Sequence, residues 1–453
     1  MSESSVAVSR RGPEKFPAGP PPNLLRSLFG AMQQNPLDYF TEMTQKHGDV
    51  FGMRIGNFRS FFINHPDLIE DVLVKNARKY HKGRILRANK YLFGEGLLTA
   101  EGDFWLRQRR LSQPAFHRER INAYAATMAE YSEQMVATWQ SGEERDVHEE
   151  MMQLALRIVG KTLFDADVTR DAKEVGETLD FLLRIAANFG RTVLVPLWVP
   201  TPRNLRAKLG VKRLEKVIYR IIAERRASGR DAGDLLSTLL EVQDEDGTRM
   251  NDRQLRDETI TLFLAGHETT ANTLSWTWWL LAQNPSVEGK LHDELDGVLG
   301  GRTPAIEDLP KLTYLGHVLT ESLRLYPTAW GMARLAAEEH EIAGYSVLPG
   351  YGVAFAQWVV HRDPRWFDAP LEFRPERWEN GLAKRLPRFA YFPFGGGPRQ
   401  CIGNTFALME ASVVLATIGQ KFRLRLVPGH QVTPLASITL RPRNGIQVKL
   451  EAR

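Results

Sequence analysis

One cysteine occurs in 453 residues, Cys401, and it stands in the loop FPFGGGPRQCIG (392–403) among glycines and an arginine. A free cysteine is most often a small buried hydrophobe, yet a loop this rich in glycine is costly to order. After it, IGNTFALMEASVVLATIGQKF reads as a long helix, apolar at Phe406, Met409, Val413 and Val414. Cys401 is therefore predicted at a helix N-terminus, where unpaired N–H groups and the positive end of the dipole stabilise a thiolate. Such a thiolate can serve as nucleophile, redox switch or metal ligand. No partnered base is apparent for the first and no second cysteine for the second. The ligand reading survives, beside that of an inert buried thiol.

Two other groups could do chemistry. AGHETT (265–270) puts Gly266, His267, Glu268, Thr269 and Thr270 inside an apolar helical pattern, and buried polar groups need partners. A polar face turned to solvent would read the same way, but Leu262, Phe263, Leu264 and Ala265 run straight into it and Trp276, Trp278 and Trp279 follow. The pattern predicts a buried helix that bends there. ESLR (321–324) sets Glu321 and Arg324 three apart on one helix face, either as a surface ion pair worth about 0–1 kcal/mol or as part of a buried cluster.

Several chemistries are excluded. Gly395, Gly396 and Gly397 invite a phosphate loop, but G-x-G-x-x-G needs glycine where Gln400 stands, and G-x-x-x-x-G-K-[ST] is absent. HETTA (267–271) has Ala271 where a zinc-protease helix needs its second histidine. No G-x-S-x-G elbow is found. A net charge of +5 is too slight to imply nucleic acid and reads as one local basic patch. The single cysteine excludes an internal disulfide framework and fits a reducing compartment. The longest apolar run, VLVPLWVP (193–200), is far below the ~18 residues of a spanning helix. It is predicted as buried core, or as a patch touching lipid or substrate. A soluble, cytoplasmic protein is expected.

The elements that must position these groups follow from periodicity. Residues 1–34 read as a flexible lead whose proline-rich segment, PAGPPP, favours an extended, semi-rigid conformation. A helix is predicted around Asn35–His47, and VFGMRIGNFRSFFIN alternates like a hairpin turned at Gly56-Asn57. From Pro66 to about Trp330 helical periodicity dominates. The longest helix starts after Asn251, a fitting N-cap, and runs to Gln283 before Asn284-Pro285, about 48 Å at the standard rise. Strands are predicted in HEIAGYSVLPGYGVAFA (340–356) and ITLRPRNGIQVKL (438–450). The expected class is mainly α with a small β-rich lobe (α+β) built from both ends of a single domain, residues 35–453.

F-x-x-G-x-R-x-C-x-G is met by Phe394, Gly397, Arg399, Cys401 and Gly403, which resembles the haem-ligand loop of the cytochrome P450 family. ESLR matches that family's E-x-x-R, and PERW (375–378) supplies its downstream arginine, Arg377. AGHETT matches A/G-G-x-D/E-T-T, and Trp105 with Arg109 meets W-x-x-x-R. The five elements stand in the family's order over about residues 35–450. The resemblance implies haem b with Cys401 as proximal iron ligand, its thiolate favouring O–O cleavage, and Phe394 packed near the sulfur. Trp105, Arg109, Arg334 and Arg399 match positions that bind haem propionates, with Arg84 a weaker candidate. Glu321, Arg324 and Arg377 become a buried structural cluster holding the cysteine loop. Glu268 and Thr269, with water at Gly266, become the acid–alcohol relay for the two protons of oxygen reduction. Thr269 bonding back to its own helix is the alternative.

By the same analogy the pocket walls are Leu92–Leu98, Ile260–Ala265, Thr328–Met332 and Ser437–Thr439, mostly apolar, so an apolar substrate is expected. Arg59 is a weak candidate carboxylate clamp. The expected activity is a monooxygenase using O2 and electrons from a separate ferredoxin or flavodoxin with its NAD(P)H-dependent reductase. Arg107, Arg110, Lys384 and Arg385 would attract that acidic partner. A peroxide-driven peroxygenase or isomerase on the same scaffold, and a haem-based gas sensor, are the rivals.

Overall fold

In the computed structural model, the described residues are 15–21, 35–165, 199–241 and 249–453, with 176, 178, 179, 181, 182, 184, 185, 243 and 247. Most of VLVPLWVP and most of the N-terminal lead lie outside them. Residues 15–21 of that lead do not behave as a free linker. Gly52 N–H donates to the Ala18 carbonyl (2.9 Å), and Phe16 packs edge-on against Phe61 at 5.1 Å between ring centroids. Phe16, docked on the sheet, anchors the start of the proline-rich segment.

Ten helices carry the argument: α1 (Pro36–His47), α2 (Gly102–Ser112), α3 (Arg118–Val136), α4 (Val147–Phe164), α5 (Pro202–Ser228), α6 (Leu235–Glu241), α7 (Asp252–Gln283), α8 (Pro285–Leu299), α9 (Thr313–Leu325) and α10 (Asn404–Lys421). α7 has the predicted bounds. Asn251 caps it through a reciprocal box, its side chain accepting from Gln254 N–H and its own N–H donating to Gln254 Oε1, both at 2.9 Å. The helix runs unbroken through AGHETT, from Asp252 to Gln283. Gly266 serves packing, since a Cβ there would come within 3.0 Å of Val159 on α4. α7 and α10 are buried nearly all round, and α3, α4 and α5 close around them on a core including Val159, Leu264, Trp278 and Val413.

The β-rich part holds a five-stranded sheet in the order β1 (Val50–Ile55), β2 (Phe58–Ile63), β8 (Gly352–Phe355), β5 (Met332–Ala336), β3 (Tyr80–Lys82). β1 and β2 form the predicted hairpin, with Ile55 opposite Phe58 across Gly56-Asn57. A second sheet joins β4 (Glu144–Asp146), β12 (Gln447–Ala452) and β9 (Phe422–Leu426), while β6 (His340–Ile342) pairs β7 (Tyr345–Val347) and β10 (Pro434–Ala436) pairs β11 (Leu440–Pro442). Strands β3 and β4 interrupt the segment whose periodicity reads as helical throughout. At three residues each, they are too short for an alternation to register.

Candidate active site

The cysteine loop is shaped by close packing against the chain behind it. Gly397 lies at φ +68°, and a Cβ on it would sit 1.9 Å from the Leu73 carbonyl oxygen; a Cβ on Gly396 would strike the Phe389 ring at 2.4 Å. The loop closes by a hydrogen bond from Cys401 N–H to the Phe394 carbonyl (3.0 Å). α10 begins three residues later, capped by Gly403, whose N–H points at the sulfur. Burial raises the Cys401 thiol above its ordinary value, opposed by that N–H and by Arg109. The helix terminus predicts the opposite direction. Desolvation wins for a bare thiol, whereas a coordinating metal removes the proton outright.

Around this loop stand four cations. Lys82 on β3 lies directly opposite Arg334 on β5 in an antiparallel register. Like charges so placed repel. Arg399 spans from the Ala100 carbonyl (2.8 Å) to Glu101, with its guanidinium 3.8 Å from the centre of the Trp105 ring. Arg109 donates to the Gln400 carbonyl (2.7 Å). Burial, then Arg399 and Arg334, pull Lys82 down to about 7. Burial and Arg399 pull Arg334 down to about 10. Glu101 is the one carboxylate in ion-pair reach of Arg399 among the described residues. A buried cluster this unbalanced is a site for an anion. Lys82 was not singled out by sequence. Arg84 was, but its guanidinium stacks 4.2 Å over Phe58. Arg59 is likewise engaged, donating to Tyr351 Oη (2.7 Å) beside Phe16.

Across α7, every residue from Leu255 to Leu264 is buried and then Ala265 is exposed, with Thr269 one turn on half-buried. Cys401 is exposed too, although burial governs its thiol. Both positions therefore keep solvent access, Ala265 on α7 and Cys401 in the loop. Thr269 Oγ1 donates to the Ala265 carbonyl (2.6 Å), the back-bonded arrangement, which leaves its lone pairs as acceptors. Glu268 is buried, 3.7 Å from Arg441 on β11. Two partners escaped sequence reasoning: Arg441, and Glu410 on α10. Glu410 is buried and held well above the usual carboxylate range by desolvation, which the Thr270 hydroxyl opposes. The available signal was a lone charge within the apolar face Phe406–Glu410–Val414. Of the predicted walls, 328–332 and 437–439 meet where Trp330 Nε1 donates to the Ser437 carbonyl (2.8 Å), while Thr328 Oγ1 meets Thr273 Oγ1 (3.0 Å) and Leu97 N–H donates to Glu258 (3.0 Å), both outside those segments on α7.

Glu321 lies at the centre of a fully buried cluster. Arg324 donates to both of its oxygens, Arg377 Nε to one and Trp378 Nε1 to the other, all at 2.8 Å. Arg324 also donates to the carbonyls of His361 (2.9 Å) and Glu372 (3.0 Å). The cluster reaches the cysteine loop through His361, whose Nε2 accepts from Phe392 N–H (3.0 Å), and through Tyr391, which donates to the Thr320 carbonyl (3.0 Å).

The Cytochrome P450 family model matches residues 17–450. The chain belongs to the cytochrome P450 family. It is 37% identical over 404 residues, 88% of its length and 87% of the relative's, to a cyclooctat-9-en-7-ol 5-monooxygenase of Streptomyces melanosporofaciens. It is 38% identical over 416 residues to a cyclooctatin synthase of the same organism, covering 90% of each chain. It is 34% identical over 446 residues to a pentalenene oxygenase of Streptomyces avermitilis, covering 97% and 98%. This P450 is thus a monooxygenase of the α+β P450 fold, a class that works with a haem–thiolate cofactor, O2, redox partners and apolar substrates. Among the described residues no helix is long and apolar enough to cross a membrane. A dianionic cofactor whose iron takes a sulfur ligand fits this donor set: one solvent-reached cysteine and four cations about its loop.

Proposed function

We propose that this P450 holds haem b through the Cys401 thiolate and inserts one atom of O2, by hydroxylation or epoxidation, into an apolar cyclic skeleton of terpene type. The names cyclooctat-9-en-7-ol and pentalenene, carried by two relatives, support the substrate class. The observation that carries the haem reading is the Lys82–Arg334 cation pair, with Arg399 and Arg109 linking it to the loop of the one cysteine. Guanidinium forks suit the paired oxygens of carboxylates. When bound, a thiolate-ligated haem supplies O2 binding and O–O cleavage.

The chain's own residues do the rest. Gly403 N–H donates to the sulfur and tunes it. Trp105 orients Arg399, and Phe394 and Gly397 set the loop's approach. Thr269, its hydroxyl hydrogen given to the Ala265 carbonyl, would accept a hydrogen bond on its free lone pairs, and Glu268, beside Arg441, would supply protons to it. The Glu321–Arg324–Arg377 cluster is structural, fixing the segment Tyr391–Phe392 that enters the loop. Electrons come from a separate ferredoxin or flavodoxin and its NAD(P)H-dependent reductase in the cytoplasm, drawn by Arg107, Arg110, Lys384 and Arg385.

The test is a reduced, carbon-monoxide difference spectrum of purified protein. A strongly red-shifted Soret band is expected, lost in Cys401→Ser. A pigmented, folded sample without that shift overturns the haem–thiolate reading. Charge reversal at Arg107 and Arg110 should slow reduction by an acidic ferredoxin and flatten its salt dependence; unchanged rates exclude that docking face.

A further inference from the structure

The outer face of α5 sets apolar side chains among cations. Leu205 and Leu209, one turn apart, are 47% and 58% exposed, and Tyr219 further along is 41% exposed. At about 100° per residue, Leu209, Lys212, Lys216 and Tyr219 all lie within about 40° of the direction of Leu205, a stripe about 21 Å long. Arg206, Arg213 and Arg220, spaced seven apart, form a second row about 60–100° to one side. All three arginines and both lysines are exposed. The helix holds nine arginines and lysines against two acids, a surplus larger than the +5 of the whole chain. This is the local basic patch that the sequence predicts. The two acids offset it little: Glu215 is engaged by Arg256 on α7, and Glu224 lies 3.9 Å from Arg220, beyond the end of the stripe.

The fold does not need these leucines. α5 meets the core on its other side, through Ala207, Val211, Leu214 and Ile218. One exposed leucine is ordinary. Two on successive turns, inside a cationic stripe, leave apolar area in water that a partner can cover. A nucleic acid would meet the cations with its phosphates but would give the leucines nothing apolar to bury against. A bilayer with anionic headgroups answers both. Leucine and tyrosine side chains enter the boundary between headgroups and acyl chains, while lysine stems lie along it and place their ammonium groups at the lipid phosphates.

We propose that the outer face of α5, from Leu205 to Arg220, docks this P450 on the surface of an anionic bilayer. Lys212, Lys216 and the row of arginines supply the attraction, and Leu205 and Leu209 supply the insertion. The enzyme then works at the phase in which an apolar substrate dissolves. The contact is peripheral and reversible, since two leucines and one tyrosine bury too little for permanent anchoring.

The test is co-sedimentation of the full-length, haem-loaded enzyme with vesicles of phosphatidylcholine alone, or with about one-third phosphatidylglycerol. Partitioning onto the anionic vesicles should be about tenfold or more the stronger, and should weaken as salt is raised. Lys212→Gln with Lys216→Gln should lower it about 10–30-fold. Leu205→Ser with Leu209→Ser, which leaves every charge in place, should lower it about fivefold or more. All four side chains are exposed, so both double variants should keep the wild-type melting temperature. No sedimentation with either vesicle, equal sedimentation with both, or partitioning that survives either double variant overturns the proposal. So does a DNA duplex that binds as tightly as the anionic vesicles and is indifferent to the leucine pair, because the face is then a general polyanion site. The readout is independent of turnover, so a failure here leaves the haem–thiolate reading to its own spectrum.

Discussion

Replacing Gly397 and Gly395 separately with alanine distinguishes backbone conformation from backbone collision in the cysteine loop. Both have nearly the same φ, +68° and +69°, so both substitutions carry the left-handed penalty of about 1–2 kcal/mol for a residue with a Cβ. Their surroundings differ. The nearest atom to a Cβ at 395 is Met332 Cε at 3.3 Å, the end of a flexible side chain. At 397 it is the Leu73 carbonyl oxygen at 1.9 Å, backbone of the helical segment Asp71–Lys75, which cannot swing aside. Relief requires that segment and the loop to part by about 1 Å, at an overpacking cost of about 1–3 kcal/mol. Gly395→Ala should therefore lose about 1–2 kcal/mol and Gly397→Ala about 2–5 kcal/mol. Urea unfolding of both variants, with haem content read from the Soret-to-protein absorbance ratio, measures the difference. Equal losses, with full haem occupancy in both, would refute the role assigned to Leu73.

Two further outcomes follow from buried charge. Arg377→Leu removes one donor from Glu321 and should destabilise by about 3–5 kcal/mol; a loss under about 1 kcal/mol in urea would show that Arg324 and Trp378 alone compensate the carboxylate. Burial raises Glu258 to about 8 from an ordinary 4.5, so between those values the native state keeps a proton that the unfolded chain has released, and stability falls as pH rises. Glu258→Gln escapes this and should gain about 2–3 kcal/mol on wild type between pH 6 and pH 9; a pH-independent difference in urea midpoints would contradict it.

How much of this was legible in the sequence depends on how local each signal is. The bounds of α7, the β1–β2 hairpin and the cysteine loop are written in contiguous residues: a capping asparagine, a Gly-Asn turn, a glycine run. The Glu321–Arg324 pair was legible as a helix face, whereas its burial depends on carbonyls from 361 to 372 that no local pattern foretells. Lys82 was lost among the cations of HKGRILRANK because only its register opposite Arg334 distinguishes it. Gly266 read only as a cost, since propensity counts its missing side chain against the helix, while the fold uses the gap to admit Val159. Glu258 and Asp257 carried no motif, and their role as acceptors for Leu97 and Glu95 N–H appears only when the loop 94–97 lies across them.

Lys82 also shows what the haem site demands of the polypeptide before haem arrives. Its pKa falls from 10.5 to about 7, first through burial and then through Arg399 and Arg334. The native state thus disfavours the charged lysine, a penalty fully present below pH 7 that fades as pH rises towards 10.5, where the unfolded chain also loses its proton. The full shift corresponds to about 5 kcal/mol; because Lys82 is only half-buried, about 3 kcal/mol is the better measure. Lys82→Met keeps the stem and discards the charge, at the loss of a long hydrogen bond to the Leu97 carbonyl. Cofactor-free Lys82→Met should accordingly be more stable than cofactor-free wild type at pH 6, with the gap closing by pH 10. In the loaded enzyme the sign reverses, because two carboxylates would restore the lysine's charge and each charge-assisted bond contributes about 1.5–3 kcal/mol; haem should leave the variant ~10–100 times more readily, as measured by transfer to apomyoglobin. A variant that is less stable without haem, or that holds haem as tightly as wild type, would mean that Lys82 is held there for the fold and not for the anion.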